Sequence, residues 1–368
     1  MNPLRIVQFN SVFNGGGTDG QTLDLAAGLH DCGDDVTLAI ARGSRWEPLA
    51  SKLGVRVELI PAKGKLGIIR GLARVLNRQR AQVVHAHQGR DYWPAILAAR
   101  LAGVGTRVVI TRHLMTRPRA FSRLFLLRAA DVIAVSRAVE GVLQRELSGP
   151  RERLHQIYGG IDTSAFQPSR SAASAALRRE QGWNEDDVVF GVVGAYSLPR
   201  GKGQLEFLQA GAQLTKEFPR ARFVMIGRGS LESLLRAEIQ QLGLGDVARL
   251  LPFTDDVATA MGALDVLVHP ALGTEALGLV LWEALACGKP VIASRLDGIP
   301  EAFTEGEHGL LVPPADVPAL ASAMRTLLGD PALRKRLGAA GRGHVCRNFS
   351  RAAHAERTRA LYSKLCLA

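Results

Sequence analysis

The stretch GTEALGLVLWEALACGKPVIAS, Gly273 to Ser294, sets Glu275 and Glu283 eight residues apart in an otherwise apolar run. A helix starting near Gly278 leaves Glu275 ahead of the helix and puts Glu283 inside it, about a turn and a half along. The free N–H groups around Leu277, Gly278, Leu279 and Val280 then face an anion. A carboxylate set deeper suits neutral hydroxyls, because it accepts two hydrogen bonds from a vicinal diol such as a ribose. The pattern accommodates a diphosphate at the helix start and sugar hydroxyls on the glutamates. Two exposed acids on an amphipathic helix are the simpler alternative.

Other stretches between a strand and a helix carry similar chemistry. In GAYSLPRGKG, Gly194 to Gly203, Arg200 and Lys202 beside glycines make a diphosphate clamp of cations and backbone donors. In IGRGS, Gly227 lets a flat group approach the backbone, or simply makes a turn. NGGGTDG, with Gly16 and Gly17, offers an anion the start of a helix. It lacks the spacing of the dinucleotide fingerprint and the Gly-Lys-Ser/Thr of a P-loop, and a tight turn is the competing reading. HAHQGRDYWP puts His85 and His87 on one side of a strand end. Asp91 completes only an irregular metal set, so a hydrogen-bonding or catalytic His87 is the better reading, beside a purely structural histidine.

Elements must position these residues. RIVQF, DVTLAI, VRVELI, QVVHAH, RVVITR, DVIAVS and LHQIYGG read as strands, most with helical segments between them. After residue 163 small, polar and charged residues break the rhythm. It resumes with VVFGVVG, a helix from about Gly203 to Glu217, ARFVMIG, a helix through LESLLRAEIQQLG, VARLLPF, LDVLVHP, the helix of the opening stretch, KPVIAS and GLLVP. Strands alternating with helices predict α/β domains with doubly wound parallel sheets. The expected division is residues 1–165, a linker over 166–187, and a nucleotide-binding domain over 188–351. The helix at 352–368 is a candidate to pack back on the first domain. Ligands are expected in a cleft at the carboxyl ends of the strands.

The chain has 368 residues, 47% hydrophobic and 22% charged, which is too long for one comfortable core and too apolar for disorder. Four scattered cysteines indicate neither a disulfide framework nor a zinc knuckle. The amino terminus lacks the apolar core of a signal peptide and no run is long enough to span a bilayer, so the cytoplasm is the expected location. Of the formal charge of +12, residues 1–165 hold 23 Lys and Arg against 13 Asp and Glu, or +10. Either the composition is simply arginine-rich or this half faces an acidic partner: an anionic membrane surface, a phosphorylated substrate or a nucleic acid. The last is disfavoured, because no aromatic ladder accompanies the basic residues. From Ala62 to Arg80, Leu66, Ile69, Leu72, Ala73 and Leu76 recur at helical spacing among Arg70, Arg74, Arg78 and Arg80. Either this helix packs on the first sheet or it rests on anionic lipid.

With these motifs the sequence resembles the retaining, nucleotide-sugar-dependent glycosyltransferases of family 4, which have the GT-B fold of two Rossmann-like domains. The resemblance spans nearly the whole chain. It is carried most specifically by the Glu-x7-Glu motif from Glu275 to Glu283, continued by Ala-Leu-Ala-Cys-Gly-Lys-Pro. It implies that Glu283 binds the nucleotide ribose and Glu275 the donor sugar. Gly16-Gly17 would lie near the donor phosphate and acceptor, and His87 would be the cleft histidine. The family's Asn-Gly-Val-Asp…Phe-x-Pro stretch is altered here to Tyr158-Gly159-Gly160-Ile161-Asp162, then Phe166 and Pro168. Where the family has Gly-Arg, this chain has Gly194-Ala195, so Arg200 must supply the guanidinium from another position or the clamp is weaker.

The resemblance implies a UDP-, GDP- or ADP-sugar donor, no cofactor and no divalent metal, since the cations are side chains. It implies front-face transfer, in which the leaving phosphate helps deprotonate the acceptor. Catalytic roles are expected of His87, Arg200, Lys202 and Glu275. The acceptor is expected to be a glycan or lipid-linked glycan in lipopolysaccharide or other surface-polysaccharide synthesis, handled at the inner face of the cytoplasmic membrane. A nucleotide-sugar epimerase and an inactive nucleotide-sugar-binding protein are the rivals, the latter favoured by Ala195.

Overall fold

The computed structural model describes residues 3–12, 16–43, 47, 53–61, 64–168, 171–197 and 201–367. Two compact units emerge: Met1–Ile161 with Phe349–Ala368, and Asp162–Asn348.

The first unit holds β1 (Arg5–Asn10), β2 (Asp35–Ala41), β3 (Arg56–Ile60), β4 (Val83–Ala86), β5 (Arg107–Arg112), β6 (Asp131–Ala134) and β7 (Leu154–Gln156). They form one parallel sheet in the order β3-β2-β1-β4-β5-β6-β7. The crossovers carry α1 (Gly17–Asp31), α2 (Lys65–Arg78), α3 (Tyr92–Ala102), α4 (Ala120–Ala129) and α5 (Arg137–Glu146). In the second unit β8 (Val188–Val193), β9 (Ala221–Gly227), β10 (Ala248–Pro252), β11 (Val266–His269), β12 (Val291–Ser294) and β13 (Gly309–Val312) pair in the order β10-β9-β8-β11-β12-β13, again parallel. Its helices are α6 (Ala172–Glu180), α7 (Gln204–Ala212), α8 (Glu232–Gln241), α9 (Val257–Ala263), α10 (Leu279–Ala286), α11 (Val317–Gly329) and α12 (Pro331–Asn348). The central strands VLVH and VIAS are buried at every residue, as strands covered on both faces must be.

After α12 the chain returns to the first unit as α13 (Arg351–Leu367), which packs on α1. Gly28 permits that contact, since a Cβ there would stand 2.9 Å from the Ala355 Cβ. A bridge between Ile161 and Ser350 joins the two crossing segments.

The structure bears on three expectations. Residues 166–187, expected as a linker region that includes a short helix, fall within the second unit, with that helix, α6, packed against α9. Arg178 fixes this helix from inside. Only 4% exposed, it donates to Asp265 Oδ2 at 3.0 Å and to the carbonyls of Ala263, Asn184 and Asp187. The helix expected from Gly203 to Glu217 stops at Ala212, because Leu214 N bonds to Gly211 O at 2.9 Å and the backbone continues in turns. In α2 the later part of the apolar stripe faces inward: Leu72, Ala73, Val75 and Leu76 are buried while Leu66 is 59% exposed, so the helix packs on its own unit through its carboxyl-terminal half. Ala62 and Lys63 lie outside the described residues.

Arg178→Ala leaves Asp265 and three carbonyls without their shared donor. Loss of one partner of a buried, hydrogen-bonded ion pair costs about 3–5 kcal/mol. Denaturant unfolding should show the second unit destabilised by that order; a change below about 1 kcal/mol would contradict the structural role of α6.

Candidate active site

Each sheet reverses its strand order once, between β1 and β4 in the first unit and between β8 and β11 in the second. Such switch points leave a crevice at the strand carboxyl ends, because the flanking crossovers depart to opposite faces. The residues singled out in the sequence gather at both.

In the second unit the loop after β11 carries Glu275 to Lys202, whose Nζ donates to Glu275 Oε2. His269, the last residue of β11, places Nε2 3.4 Å from the same oxygen. Burial alone would raise the Glu275 carboxyl. The His269 ring and the Lys202 ammonium outweigh it and bring the group down to about 2. Glu275 is therefore an anion at neutral pH, held by two basic side chains and still able to accept from a ligand hydroxyl. Its backbone is clamped too: Glu275 N donates to Asp297 Oδ2 at 3.1 Å, and Gly298 N donates to Glu275 O at 3.1 Å. Asp297 holds φ 45° to do this, a left-handed conformation that Asp tolerates better than most residues.

Lys202 reaches this loop because its neighbour is glycine. Gly203 has φ 81°, and a Cβ on it would stand 1.9 Å from the Pro270 carbonyl oxygen. Gln204 then accepts from Lys202 N at 2.7 Å and α7 begins. Gly194 and Gly227 also meet, backbone to backbone. Gly194 N donates to Ile226 O at 2.9 Å, and a Cβ on Gly227 would lie 2.1 Å from Gly194 O. The close approach at Gly227 is thus filled by the protein's own chain. Leu277 is buried, Gly278 caps α10 with φ 80°, Leu279 and Val280 open its first turn, and Glu283 lies half-buried one turn further on. Arg200 lies outside the described residues, and Ala195 is exposed.

In the first unit Gly16 caps α1 and Gly17 begins it, both exposed. Asp19 in the first turn accepts from Asn10 Nδ2 at 2.9 Å and from Gln88 Nε2 at 3.1 Å, which ties the helix start to β1 and to the residue beside His87. Asp91 accepts from Ser11 N at 2.8 Å and from the Ser11 hydroxyl. Burial pushes its carboxyl up to about 6, against the pull of those two bonds.

His87 ends a buried chain of hydrogen bonds. Its Nε2 lies 2.7 Å from Gln8 Oε1, Gln8 Nε2 donates to the Tyr362 hydroxyl oxygen at 3.2 Å, that hydroxyl lies 2.5 Å from His85 Nδ1, and His85 Nε2 lies 2.6 Å from Thr111 Oγ1. With the Gln8 carbonyl accepting, the His87 proton sits on Nε2. Tyr362 accepts from Gln8 and donates to His85, whose own proton then faces Thr111. This leaves the His87 Nδ1 lone pair buried and without a partner among the described residues. Burial, with His113 and His354 nearby, holds His85 and His87 well below the ordinary imidazole range. Burial, then His354 and Arg112, takes His113 down to about 3. His87 Nδ1 is therefore a neutral, buried acceptor.

Sequence reasoning singled out Lys202, Glu275 and His87 but not the groups they contact. His269 was read only as part of a strand; its place six residues before Glu275, at a strand end, was the available signal. Asp297, Gln8 and Tyr362 had none, since each acts through a contact distant in sequence. Among the described residues no three His, Cys, Asp or Glu side chains gather as metal ligands.

Known proteins are similar to this chain over most of its length. Residues 15–165 match the family described as Glycosyltransferase Family 4, and residues 174–344 match Glycosyl transferases group 1. The putative glycosyltransferase EpsD of Bacillus subtilis is 28% identical over 81% of this chain and 80% of its own. A phosphatidyl-myo-inositol mannosyltransferase of Mycolicibacterium smegmatis is 30% identical over 87% and 83%. Among solved structures, Anabaena HepE in complex with UDP-glucose superposes with a TM-score of 0.81 at 23% identity, over 98% of this chain and 99% of that one. A glycosyltransferase of Rickettsia africae gives 0.86 at 19% identity, over 100% and 99%. The fold is GT-B, with two Rossmann-like units. The chain belongs to this family of glycosyltransferases.

The buried imidazoles generate a pH prediction for the first unit. Unfolded histidines take up protons near pH 6.5, whereas folded His85, His87 and His113 stay neutral far below it, and His354 does so down to about 4. Their folded pKa values are depressed, so their stabilisation is complete above pH 6.5 and is lost as the pH falls. Each contributes about 1.4 kcal/mol per pH unit. Asp91 works the other way below its folded value of about 6, but it is one group against four. Denaturant midpoints measured from pH 7 to pH 4.5 should fall for the first unit, and less steeply in His113→Gln; a flat profile would contradict the neutral cluster.

Proposed function

We propose that this glycosyltransferase moves a sugar, with retention of anomeric configuration, from a nucleoside-diphosphate sugar to a hydroxyl of a cell-surface glycan or lipid-linked acceptor. The observation that carries the reading is the anionic Glu275, held between Lys202 and His269 at the β8/β11 switch point, three residues ahead of the Gly278 cap of α10. The helix start offers backbone donors to a diphosphate. Lys202 stands beside it, so that negative charge growing on the leaving group is met by a cation already in place. Glu275 accepts from hydroxyls of the donor sugar and Glu283 from the ribose. The Glu275 carboxylate is engaged by two basic groups and makes a poor nucleophile, which favours front-face departure in which the leaving phosphate takes the acceptor proton.

A UDP-sugar is the first donor to test, because the superposing HepE structures contain UDP, UDP with glucose, and UDP-glucose. GDP- and ADP-sugars follow. A mannosyltransferase of phosphatidyl-myo-inositol among the relatives, together with solved structures of enzymes of lipopolysaccharide synthesis, supports a lipid-linked or core-oligosaccharide acceptor. We place the enzyme in the cytoplasm, at the inner face of the membrane.

Nucleoside diphosphate release with and without acceptor tests the reading. Extension of the acceptor supports transfer, an isomerised donor indicates an epimerase, and donor binding without turnover indicates an inactive binding protein. Lys202→Ala should lower kcat about 10²–10³-fold with a smaller change in donor Kd, since its charge matters most as the diphosphate departs. Glu283→Ala should instead weaken donor binding by about tenfold or more while the thermal midpoint stays unchanged. A Glu283→Ala enzyme that binds every donor as tightly as the parent does would overturn the ribose assignment.

A further inference from the structure

The basic excess of the first half of the chain lies in two neighbouring segments. From Leu59 to Arg90 there are seven Lys and Arg and no Asp or Glu. From Tyr92 to Ala130 there are seven arginines and no Asp or Glu, over thirty-nine residues. The same segment leaves large apolar side chains in solvent. On α4, Phe121 is 58% exposed, Leu124 52% and Phe125 39%, and these stand at the i, i+3, i+4 spacing of one helix face. The opposite face buries Leu126 and Leu127 in the core, so the exposed stripe is not a register accident. On α3, Leu97 is 44% exposed and Leu101 61%.

The two helices are joined by aromatic contacts. The Trp93 ring, on α3, lies 4.6 Å from that of Phe121, which lies 4.9 Å from Phe125. Trp93 Nε1 also donates to Ser122 Oγ at 3.1 Å. Arginines flank the stripe: Arg119 precedes α4, exposed Arg117 is paired with Glu146 Oε2 at 2.7 Å, and the Arg128 guanidinium lies 5.9 Å over the Phe125 ring. At the other edge Leu101 shares a pocket with Arg70, Arg74 and Arg78 of α2.

We propose that this α3–α4 face docks the enzyme on an anionic lipid bilayer. Phe121, Leu124, Phe125 and Leu97 would enter the headgroup–acyl boundary, while the surrounding arginines meet lipid phosphates. Aromatic and leucine side chains ringed by arginine, with no acid in the segment, fit that interface. A water-facing surface does not need the apolar groups, and a nucleic acid would not need the leucines. The apolar insertion is thereby assigned to α4 and α3, because α2 buries Leu72, Val75 and Leu76 and leaves only Leu66 well exposed, at 59%, beside its arginines. It extends the reading of a lipid-linked acceptor but is tested without any transfer reaction, so either can fail alone.

Cosedimentation of the full chain with vesicles of phosphatidylcholine alone, or with phosphatidylglycerol added, provides the test. The parent should bind anionic vesicles at least tenfold better than neutral ones, with binding falling as salt rises. The triple variant Phe121→Ser, Leu124→Ser, Phe125→Ser should lose at least tenfold on anionic vesicles at constant charge and keep donor affinity. Leu124→Ser alone, with an unchanged melting curve, guards against misfolding and should lose a measurable part. An Arg70→Gln, Arg74→Gln, Arg78→Gln variant should lose less than the apolar triple. Equal binding by the apolar variants overturns the proposal. So does concentration-dependent self-association that the triple variant abolishes, because the stripe would then be a contact between copies.

Discussion

Lys202 can touch Glu275 only because residue 203 has no side chain. The Pro270 carbonyl occupies the place of a Cβ, and the backbone at 203 turns through a left-handed conformation to enter α7. Any other residue would push the start of α7 away from the end of β11, and the ammonium with it. The remaining features of the second-unit site follow from that approach. His269 is the strand residue adjoining Pro270, and Glu275 is carried back over it by a loop anchored on Asp297. A helix start and a strand end brought into close contact thus fix three ionisable groups before any ligand arrives. Such preorganisation spares the reaction the cost of ordering them later.

The pairing also limits the charge available to a ligand. Lys202 bound to Glu275 forms a locally neutral unit, so attraction for a diphosphate rests on the helix start and on cations beyond the pair. The absence of an arginine at position 195 therefore matters more than a sequence comparison alone would suggest. The first unit follows the opposite design. There the polar groups are neutral by burial, and direction is supplied by hydrogen bonds: the Gln8 amide, ordered by Tyr362, determines which nitrogen of His87 carries the proton.

Alternation of β-rich and helical stretches was enough to read both parallel sheets, since strands buried on both faces announce themselves as short apolar runs. Gly194, Gly203 and Gly227 were legible as special positions. Their reason was not: at Gly203 and Gly227 the space is taken by another part of the chain, a fact of tertiary packing. Arg178 was hidden within a small, polar stretch that reads as a linker, because one arginine satisfied by carbonyls has no periodicity to detect. The stripe on α2 left two readings open for a related reason. Amphipathic spacing reports that one face is apolar but not whether that face meets the protein or something else, and only the burial of Leu72 and Leu76 decides it.

The placement of Tyr362 has a consequence for how the protein is made. The first unit is interrupted in sequence by the whole of the second and is completed by α13. During synthesis the ribosome must translate all of residues 162–348 before the segment that covers α1 and orders the histidines exists. The nascent first unit therefore waits with Gln8 and His85 lacking their shared hydroxyl, and with the Gly28 face of α1 uncovered. The second unit, continuous in sequence, can fold during that interval. Vectorial synthesis thus leaves the directional order of the His87 chain among the last features acquired.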